Sequence, residues 1–301
     1  MVRGVRAQLA GVAVGDGLPV AVMGVVNVSP ESFYPGSIYR GEEAIVKAAL
    51  AMVDAGAALI DVGARSTAPY LDTDIDERLE TERLARAVEG LAGKLSVPIS
   101  ADTFRPGPAR AALDAGARVI NDVSTLRDPE LARLVASRSA GLVLMAAPLA
   151  APSERGGVRE GRRPQGRRPP RPSPRSPAVA VVKGLLAAGL RRAAAARIPQ
   201  DRIVVDPGIG FFRAERIAWP QWDVTVLAKL RALRALGRPV CVGVSRKSFI
   251  GAILERSDTS ERLAGSLAAT AIAVMNGAAL VRTHDVAETR DVVRVAERAR
   301  R

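Results

Sequence analysis

The sequence has almost no cysteine or histidine, and it lacks long apolar runs. Its 301 residues include one cysteine, Cys241, and one histidine, His284. A single cysteine excludes an internal disulfide, and its place inside an apolar run predicts a small buried side chain rather than a nucleophile. No run of about 18 apolar, uncharged residues occurs, and residues 1–4 show neither a signal-peptide core nor a cleavage site. We therefore expect a soluble, cytoplasmic protein with no membrane partner.

Acidic residues are fewer than basic ones, 31 against 44, and the excess of positive charge is unevenly distributed along the chain. The formal net charge is +13. The stretch from Glu154 to Pro177 contains eight arginines and two glutamates, and it is rich in proline and glycine. Such a stretch buries little apolar surface, which predicts a disordered basic insertion at residues 151–177. It could be a merely solvated segment, an electrostatic funnel for a phosphorylated substrate, or an RNA-binding arm. It lacks interleaved aromatic residues, which speaks against nucleic acid as a partner.

The feature that repeats is a short Val- and Ile-rich run that ends in polar residues and precedes a helix-length segment. Eight such runs occur, at residues 20–27, 58–61, 97–102, 119–122, 141–145, 203–206, 240–245 and 279–284. Runs of this kind are typical of buried parallel strands joined by crossover helices. Eight units predict an α/β protein with one closed (β/α)8 TIM barrel, whose polar strand ends meet at one face. That face is the candidate active site.

Helix signals lie between the runs. Apolar residues at helical spacing predict helices at residues 41–55, 74–95, 108–114, 129–137, 178–197, 224–236, 260–276 and 287–300. Residues 1–19 are predicted to form an N-terminal lead-in or hairpin with Gly15-Asp16-Gly17 at its turn. Residues 1–301 are thus predicted to form a single barrel domain, with the insertion at 151–177 after the fifth strand.

Seven short motifs at the strand ends resemble those of dihydropteroate synthases. In family order they are MGVVNVSPESF at 23–33, DVGARST at 61–67, DTF at 102–104, INDV at 120–123, DPGIGF at 206–211, SRKSFIG at 245–251 and RTHDV at 282–286. They span nearly the whole predicted barrel, and seven motifs in order leave little room for chance. The sequence is identified as a divergent member of this pterin-binding barrel family. Few Asn and Gln beside many Arg and Glu favour an archaeal or thermophilic type, although a GC-rich genome gives the same bias.

The resemblance implies a transferase of folate or modified-pterin biosynthesis. It implies that 6-hydroxymethyl-7,8-dihydropterin diphosphate condenses with 4-aminobenzoate or a related arylamine and releases diphosphate. The substrate-binding residues it implies are Thr67, Asp102, Asn121, Met145, Asp206, Phe211, Lys247 and Ser248. Carboxylates and a carboxamide would accept hydrogen bonds from the donor-rich pterin edge, with the lysine on the acceptor side of the ring. For a single aspartate at such a turn, a helix N-cap is the plain alternative.

The resemblance also implies a second half of the site that handles the diphosphate. Asn27, Lys247, Arg282 and His284 are its implied catalytic residues, because donors and cations at a leaving diphosphate stabilise its growing charge. Mg²⁺ would be held by the diphosphate and by Asn27. Phosphate sites in barrels often follow the seventh and eighth strands, which suits Lys247 and Arg282. A packed, hydrogen-bonded side chain is the alternative for His284. A homodimer is expected.

Several positions depart from the family pattern, all on the diphosphate and arylamine side. Ala68 replaces an arginine, Pro35 replaces an aspartate of the first loop, and Arg65 replaces a glutamate and could supply charge from another direction. The fifth strand is followed by Ala146-Ala147-Pro148 instead of a His-Met pair. Two alternatives therefore stay open. A pterin-dependent methyltransferase-type domain should lack the SRK motif and the Arg282/His284 pair, and a non-catalytic relative would bind RNA through the basic insertion.

Overall fold

Eight parallel strands close into a barrel in the computed structural model, which describes residues 4–29, 41–65, 75–148, 178–212 and 219–300. The barrel strands are β3 Ala21–Asn27, β4 Leu59–Gly63, β5 Ile99–Asp102, β6 Val119–Asp122, β7 Gly141–Met145, β8 Ile203–Asp206, β9 Val240–Gly243 and β10 Ala278–Thr283. They are hydrogen-bonded in chain order, and β10 closes the ring on β3. The predicted (β/α)8 barrel is confirmed. Three of the eight runs match their strands residue for residue.

Helices follow the barrel strands in the described ranges. They are α1 Glu42–Asp54, α2 Glu77–Leu91, α3 Pro106–Ala115, α4 Pro129–Ser137, α5 Ala178–Ala195, α6 Trp219–Ala228, α7 Ser248–Leu254, α8 Leu263–Met275 and α9 Val286–Arg300. The prediction of one helix over 224–236 is wrong, because α6 ends at Ala228 and Leu230–Leu236 forms a 3₁₀ segment. Its buried residues Leu230 and Leu233 are three apart, which matches the three-residue turn. Helix α7 was not predicted, since seven residues are too few to show a period.

The predicted N-terminal hairpin exists, but its turn lies elsewhere. Strands β1 Arg6–Leu9 and β2 Val12–Gly15 pair antiparallel with Leu9 opposite Val12, which places Ala10 and Gly11 at the turn. Both have positive φ, 51° and 94°, as a two-residue hairpin turn requires. The prediction of Gly15-Asp16-Gly17 at the turn is therefore wrong. A Cβ on Gly15 would lie 2.2 Å from the carbonyl oxygen of Val5, so this glycine allows a close approach of the two strands.

Two apolar layers hold the barrel together. The larger one lies between the strands and the surrounding helices. The smaller one fills the amino-terminal part of the barrel interior and joins hairpin residues Leu9 and Val14 to Met23, Leu59 and other inward side chains. Cys241 belongs to this inner layer and is fully buried, as predicted. Burial raises the pKa of its thiol, which keeps the group protonated and unreactive.

Several predicted features lie outside the described residues. They include the basic insertion at 151–177, Thr67, and the departures at Pro35 and Ala68. The single domain over residues 1–301 stays a prediction. Within the described ranges, no helix has the length and apolar character needed to cross a membrane.

Candidate active site

Polar side chains occupy the carboxyl-terminal part of the barrel interior, directly above the inner apolar layer. Successive inward positions on a strand are two residues apart, so Leu59 of the apolar layer is followed on β4 by Asp61. The same step on neighbouring strands places Asn121 after Val119, Met145 after Val143, Asp206 after Val204 and Arg282 after Leu280. All of these except Arg282 are buried. The topology thus gathers the predicted pterin residues at one end of the barrel.

A carboxylate–guanidinium cluster lies at the centre of this end. Arg282 donates from Nε to Asp61 Oδ2 at 2.6 Å and from Nη2 to Asp102 Oδ2 at 2.8 Å. Asn121 Nδ2 donates to the same Asp61 oxygen at 3.1 Å. Arg282 is therefore shared between two buried carboxylates. Asp61 was not among the predicted site residues, although its inward position on β4 could have identified it.

Burial perturbs the acids of this cluster. Loss of solvation raises the pKa of Asp102 to about 7, a rise that Arg282 opposes and the charge of Asp61 reinforces. Oδ1 of Asp61 and Oδ1 of Asp102 are buried and accept no hydrogen bond from the described residues. Unsatisfied buried acceptors are costly, and they are rare outside functional sites. Both oxygens therefore suit a ligand with hydrogen-bond donors.

A second group lies across the β8–β9 side of the barrel. Asp206 Oδ1 accepts the Gly208 N–H at 2.7 Å, and burial raises the pKa of this carboxyl while the charge of Lys247 opposes the rise. Lys247 donates from Nζ to the Ile209 carbonyl, and the same nitrogen lies 5.0 Å from the ring centroid of Phe211. Burial lowers the pKa of the lysine. An acceptor, a cation and an aromatic face are thus available side by side.

The backbone of the loop after β8 is shaped by close approach and by a residue that sequence reasoning missed. Gly208 has φ of +70°, and a Cβ there would lie 2.2 Å from the Ala146 carbonyl oxygen, so only glycine fits. Asp223 of α6 is buried, and its Oδ1 accepts the Gly210 N–H at 2.9 Å. Asp223 therefore holds the loop from the helix side. No local sequence signal joins it to a loop 13 residues earlier.

His284 follows β10 directly and contacts the loop after β9. Ser245 Oγ and His284 Nδ1 are 2.9 Å apart. Burial, together with the positive charges of Arg282, Arg246 and Lys247, lowers the pKa of His284 to about 3, so its imidazole is neutral at physiological pH. Its surroundings fit a packed, hydrogen-bonded histidine, and its place beside Arg282 fits a substrate contact as well.

The arginine of the SRK motif has a structural position. Arg246 is buried with φ of +53° and binds Asp285 through two bonds, Nε to Oδ2 at 2.9 Å and Nη2 to Oδ1 at 2.7 Å. Its Nη1 also donates to the carbonyls of Thr259 and Ser260. Such a bidentate pair fixes the loop after β9 against the start of α9. Of this motif, Ser245 and Lys247 face the candidate site.

The remaining predicted residues that the structure describes, Asn27, Ser248 and Met145, also lie at this end. Asn27 is the last residue of β3, and a Cβ on Gly63 would lie 3.3 Å from its Oδ1 and 3.8 Å from Asp102 Cβ. The Asn27 oxygen thus lies near Asp102. Ser248 begins α7 directly after Lys247. Met145, at the end of β7, is paired in register with Asp206.

Known proteins match this chain over most of its length. A family model described as pterin binding enzyme matches residues 23–284. The dihydropteroate synthase of Mycobacterium leprae is 38% identical over 290 residues, which cover 92% of this chain and 92% of that protein. A crystal structure of the Yersinia pestis dihydropteroate synthase with a sulfonamide drug complex has a TM-score of 0.82 and 29% identity, with 98% of both chains covered. The Xanthomonas albilineans dihydropteroate synthase in complex with 7,8-dihydropteroate has a TM-score of 0.78 and 34% identity, again with 98% of both chains covered.

Proposed function

This chain belongs to the pterin binding enzyme family, and we propose a dihydropteroate synthase reaction for the end of the barrel that carries its polar cluster. The protein is a transferase of folate biosynthesis that joins 6-hydroxymethyl-7,8-dihydropterin diphosphate to 4-aminobenzoate or a related arylamine and releases diphosphate. The observation that carries the site assignment is the set of buried acceptors Asp61, Asp102, Asn121 and Asp206 beside Lys247.

The acceptors suit the pterin ring. Its 2-amino group and ring N–H are donors, which match Asp206 and the buried Oδ1 atoms of Asp61 and Asp102. Asn121 uses its amide nitrogen on Asp61, so its carbonyl oxygen is the atom left to accept from a ligand. Lys247 would donate to the acceptor side of the ring, and Phe211 and Met145 would provide apolar contact. We assign the substrate contacts Thr67 and Ser248 by resemblance alone.

In the transfer step, the arylamine nitrogen attacks the exocyclic methylene carbon of the pterin. A C–N bond forms, the C–O bond to the diphosphate breaks with its electron pair leaving on the diphosphate, and the amine nitrogen loses one proton to solvent. Cations held in place before the reaction stabilise such a leaving group most. Arg282 and Lys247 are two cations in the described part of the site, and neutral His284 would contribute a hydrogen bond rather than charge.

We also propose Mg²⁺ as the cofactor. An amide oxygen is a suitable hard ligand for this ion, which often takes most of its other ligands from phosphate and water. Asn27 would supply that oxygen at the end of β3. The described residues contain no cluster of three or more His, Cys, Asp or Glu side chains able to bind a metal, so the diphosphate would have to supply the main ligands. The bound ion would absorb part of the leaving group's charge.

A homodimer is our proposal for the oligomeric state. Helix α8 has no charged residue, and its exposed face includes Ala264, Ala268 and Ile272. Ile253 and Leu254 of α7 are exposed as well. Contiguous exposed apolar surface marks an interaction site. Ile272→Asp should therefore lower the mass measured by light scattering to that of one chain. A cytoplasmic location stays a prediction.

The relatives named above favour this reaction over the methyltransferase-type and RNA-binding alternatives. The decisive assay measures diphosphate release from the pterin diphosphate with 4-aminobenzoate and, separately, with its ribosyl phosphate derivative. Release with neither amine would overturn the proposed function. The amine that gives the faster diphosphate release would be identified as the substrate.

A variant tests the pterin contacts directly. Asp206→Asn replaces an acceptor oxygen with a donor that faces a pterin donor, and a mismatched buried polar group costs about 1–3 kcal/mol. Pterin affinity in calorimetry should thus fall about 10- to 100-fold, with the fold retained. The matched control is Asp291→Asn, because Asp291 is exposed on α9. Unchanged pterin binding in a folded Asp206→Asn protein would contradict the assignment.

A further inference from the structure

A buried glutamate outside the pterin pocket connects the ends of two barrel strands. Glu80 of α2 is 1% exposed. Its Oε1 accepts from Thr103 Oγ1 at 2.6 Å, and its Oε2 accepts from Arg105 Nη1 at 3.0 Å and lies 3.5 Å from Arg65 Nε. A buried carboxylate is tolerated only when it is well paired. One hydroxyl and two guanidinium groups meet that need here.

The partners of Glu80 occupy informative places in the chain. Thr103 directly follows Asp102, the end of β5, and Arg65 lies two residues after the end of β4. Arg105 also donates to the Ile75 carbonyl at 2.9 Å. Arg65 and Ile75 flank residues 66–74, the segment that carries Thr67, so both flanks of that segment are tied to one cluster.

A second contact fixes Arg65. Its guanidinium carbon lies 4.6 Å from the ring centroid of Phe104, the residue next to Thr103. A cation over an aromatic face adds to the ion pair in holding this side chain. Arg65, which departs from the family pattern, is therefore committed to the strand-end cluster. It also acts on the site electrostatically, since its charge lowers the pKa of Asp102 while that of Glu80 raises it.

We propose that Glu80 is a positioning residue for the transfer step, because it holds Arg65, Thr103 and Arg105 and so fixes the ends of β4 and β5 relative to each other. The proposal rests on the proposed function. Glu80 has no described contact with Asn121, Asp206 or Lys247, and the Asp102 carboxylate is held by Arg282 rather than by Glu80. Its loss should therefore impair the reaction more than it impairs pterin binding.

Glu80→Gln tests the proposal, because glutamine can still accept from Thr103 but cannot form ion pairs with the two arginines. Misplacement of about 1 Å in a reacting group can reduce turnover about 100-fold. We expect kcat/KM with 4-aminobenzoate to fall about 10- to 100-fold, while the Kd for 6-hydroxymethylpterin without its diphosphate changes less than about threefold. The control is Glu130→Gln, which breaks the exposed 3.0 Å pair with Arg110 and should change neither quantity.

Two further variants keep the test decisive if Glu80→Gln folds poorly. Thr103→Val preserves shape and removes one hydrogen bond, so it should show the same split with a smaller loss. Arg65→Gln should cost less in a Glu80→Gln background than in the wild type, because residues in one network are coupled. Equal losses of pterin affinity and kcat/KM, or no loss at all, would overturn the inference alone. A wild-type protein that releases no diphosphate would overturn the proposed function and the inference with it.

Discussion

The two ends of the barrel interior are built from the same strands and have opposite character. At the amino-terminal end, Leu9 and Val14 of the hairpin close the barrel against apolar residues such as Leu59 and Leu280. At the carboxyl-terminal end, two residues further along those strands, Asp61 and Arg282 lie among buried charges. A step of one inward position therefore separates a layer that stabilises the fold from a layer suited to chemistry.

The electrostatics of the two ends differ in the same way. Burial of the inner apolar layer is favourable by about 25 cal/mol for each Å² removed from water. Burial of ionisable groups at the other end is unfavourable, and it raises the pKa of Asp102 and Asp206 and lowers that of Lys247 and His284. Perturbed groups that cluster in this way mark functional sites. The barrel thus tolerates an unfavourable layer because a favourable one lies beneath it.

Removal of Arg282 should give the largest effect at the carboxyl-terminal end. Arg282→Ala leaves Asp61 and Asp102 buried without their cation, and breaking a buried pair costs about 3–5 kcal/mol. We expect kcat/KM to fall by at least about 100-fold and the pKa of Asp102 to rise, because Arg282 lowers it. Steady-state kinetics and a pH titration would measure both effects.

The matched control for that variant lies at the opposite end. Arg234 pairs with Asp16 at 2.7 Å, and its side chain is 49% exposed. Exposed pairs contribute at most about 1 kcal/mol, so Arg234→Ala should leave kcat/KM unchanged. Equal losses in the two variants would show that the two ends of the barrel are not functionally separate.

A substitution in the hairpin should lower stability and leave pterin binding unchanged. Leu9 is fully buried, and Leu9→Ala should lower the free energy of unfolding by about 2–5 kcal/mol. The pterin Kd should not change, because the site lies at the other end. Denaturant unfolding and calorimetry measure the two quantities. Leu79→Ala, at a leucine that is 36% exposed, should cost much less stability, and a comparable loss there would contradict the role assigned to the hairpin.

The smallest expected effect is the change of pterin affinity with pH. Ionised Asp102 can accept hydrogen bonds at both oxygens, whereas the protonated acid carries an O–H donor on one of them, and with a pKa of about 7 its ionised fraction rises about tenfold from pH 6 to pH 8. Pterin affinity should rise by a similar factor, while His284, with a pKa of about 3, stays neutral throughout. Asp102→Asn should flatten the profile. If Asp102→Asn leaves pterin affinity unchanged at every pH, Asp102 is not a pterin contact.

The raised pKa of Asp102 also makes the stability of the protein depend on pH. Because the folded pKa of Asp102 is raised above its unfolded value of 3.8, the folded state keeps the proton that the unfolded state has lost. The contribution of Asp102 to stability therefore falls as pH rises from about 4 to about 7. Denaturant unfolding of the wild type and of Asp102→Asn would separate this contribution from the rest of the protein.

Many of the barrel strands could be predicted from local sequence patterns. The runs at 119–122, 141–145 and 203–206 are strands at those residues, because a short apolar run bounded by turn residues is a property that a few neighbouring residues encode. The turn at Ala10-Gly11 and the 3₁₀ segment after α6 were missed. In both places several conformations suit the local sequence, and packing against distant strands selects one of them.

The sequence by itself determined the fold class, the family motifs and the strand ends at which the polar residues lie. Only the tertiary structure decided how those residues pair. Arg282 and Asp61 are 221 positions apart, and they meet because the ring closes between β10 and β3 and brings β4 within reach. Glu80 meets Arg65 and Thr103 because α2 packs against β4 and β5. A local pattern can specify which face of a strand a side chain occupies, but ion pairs between distant segments depend on barrel closure, which no single segment encodes.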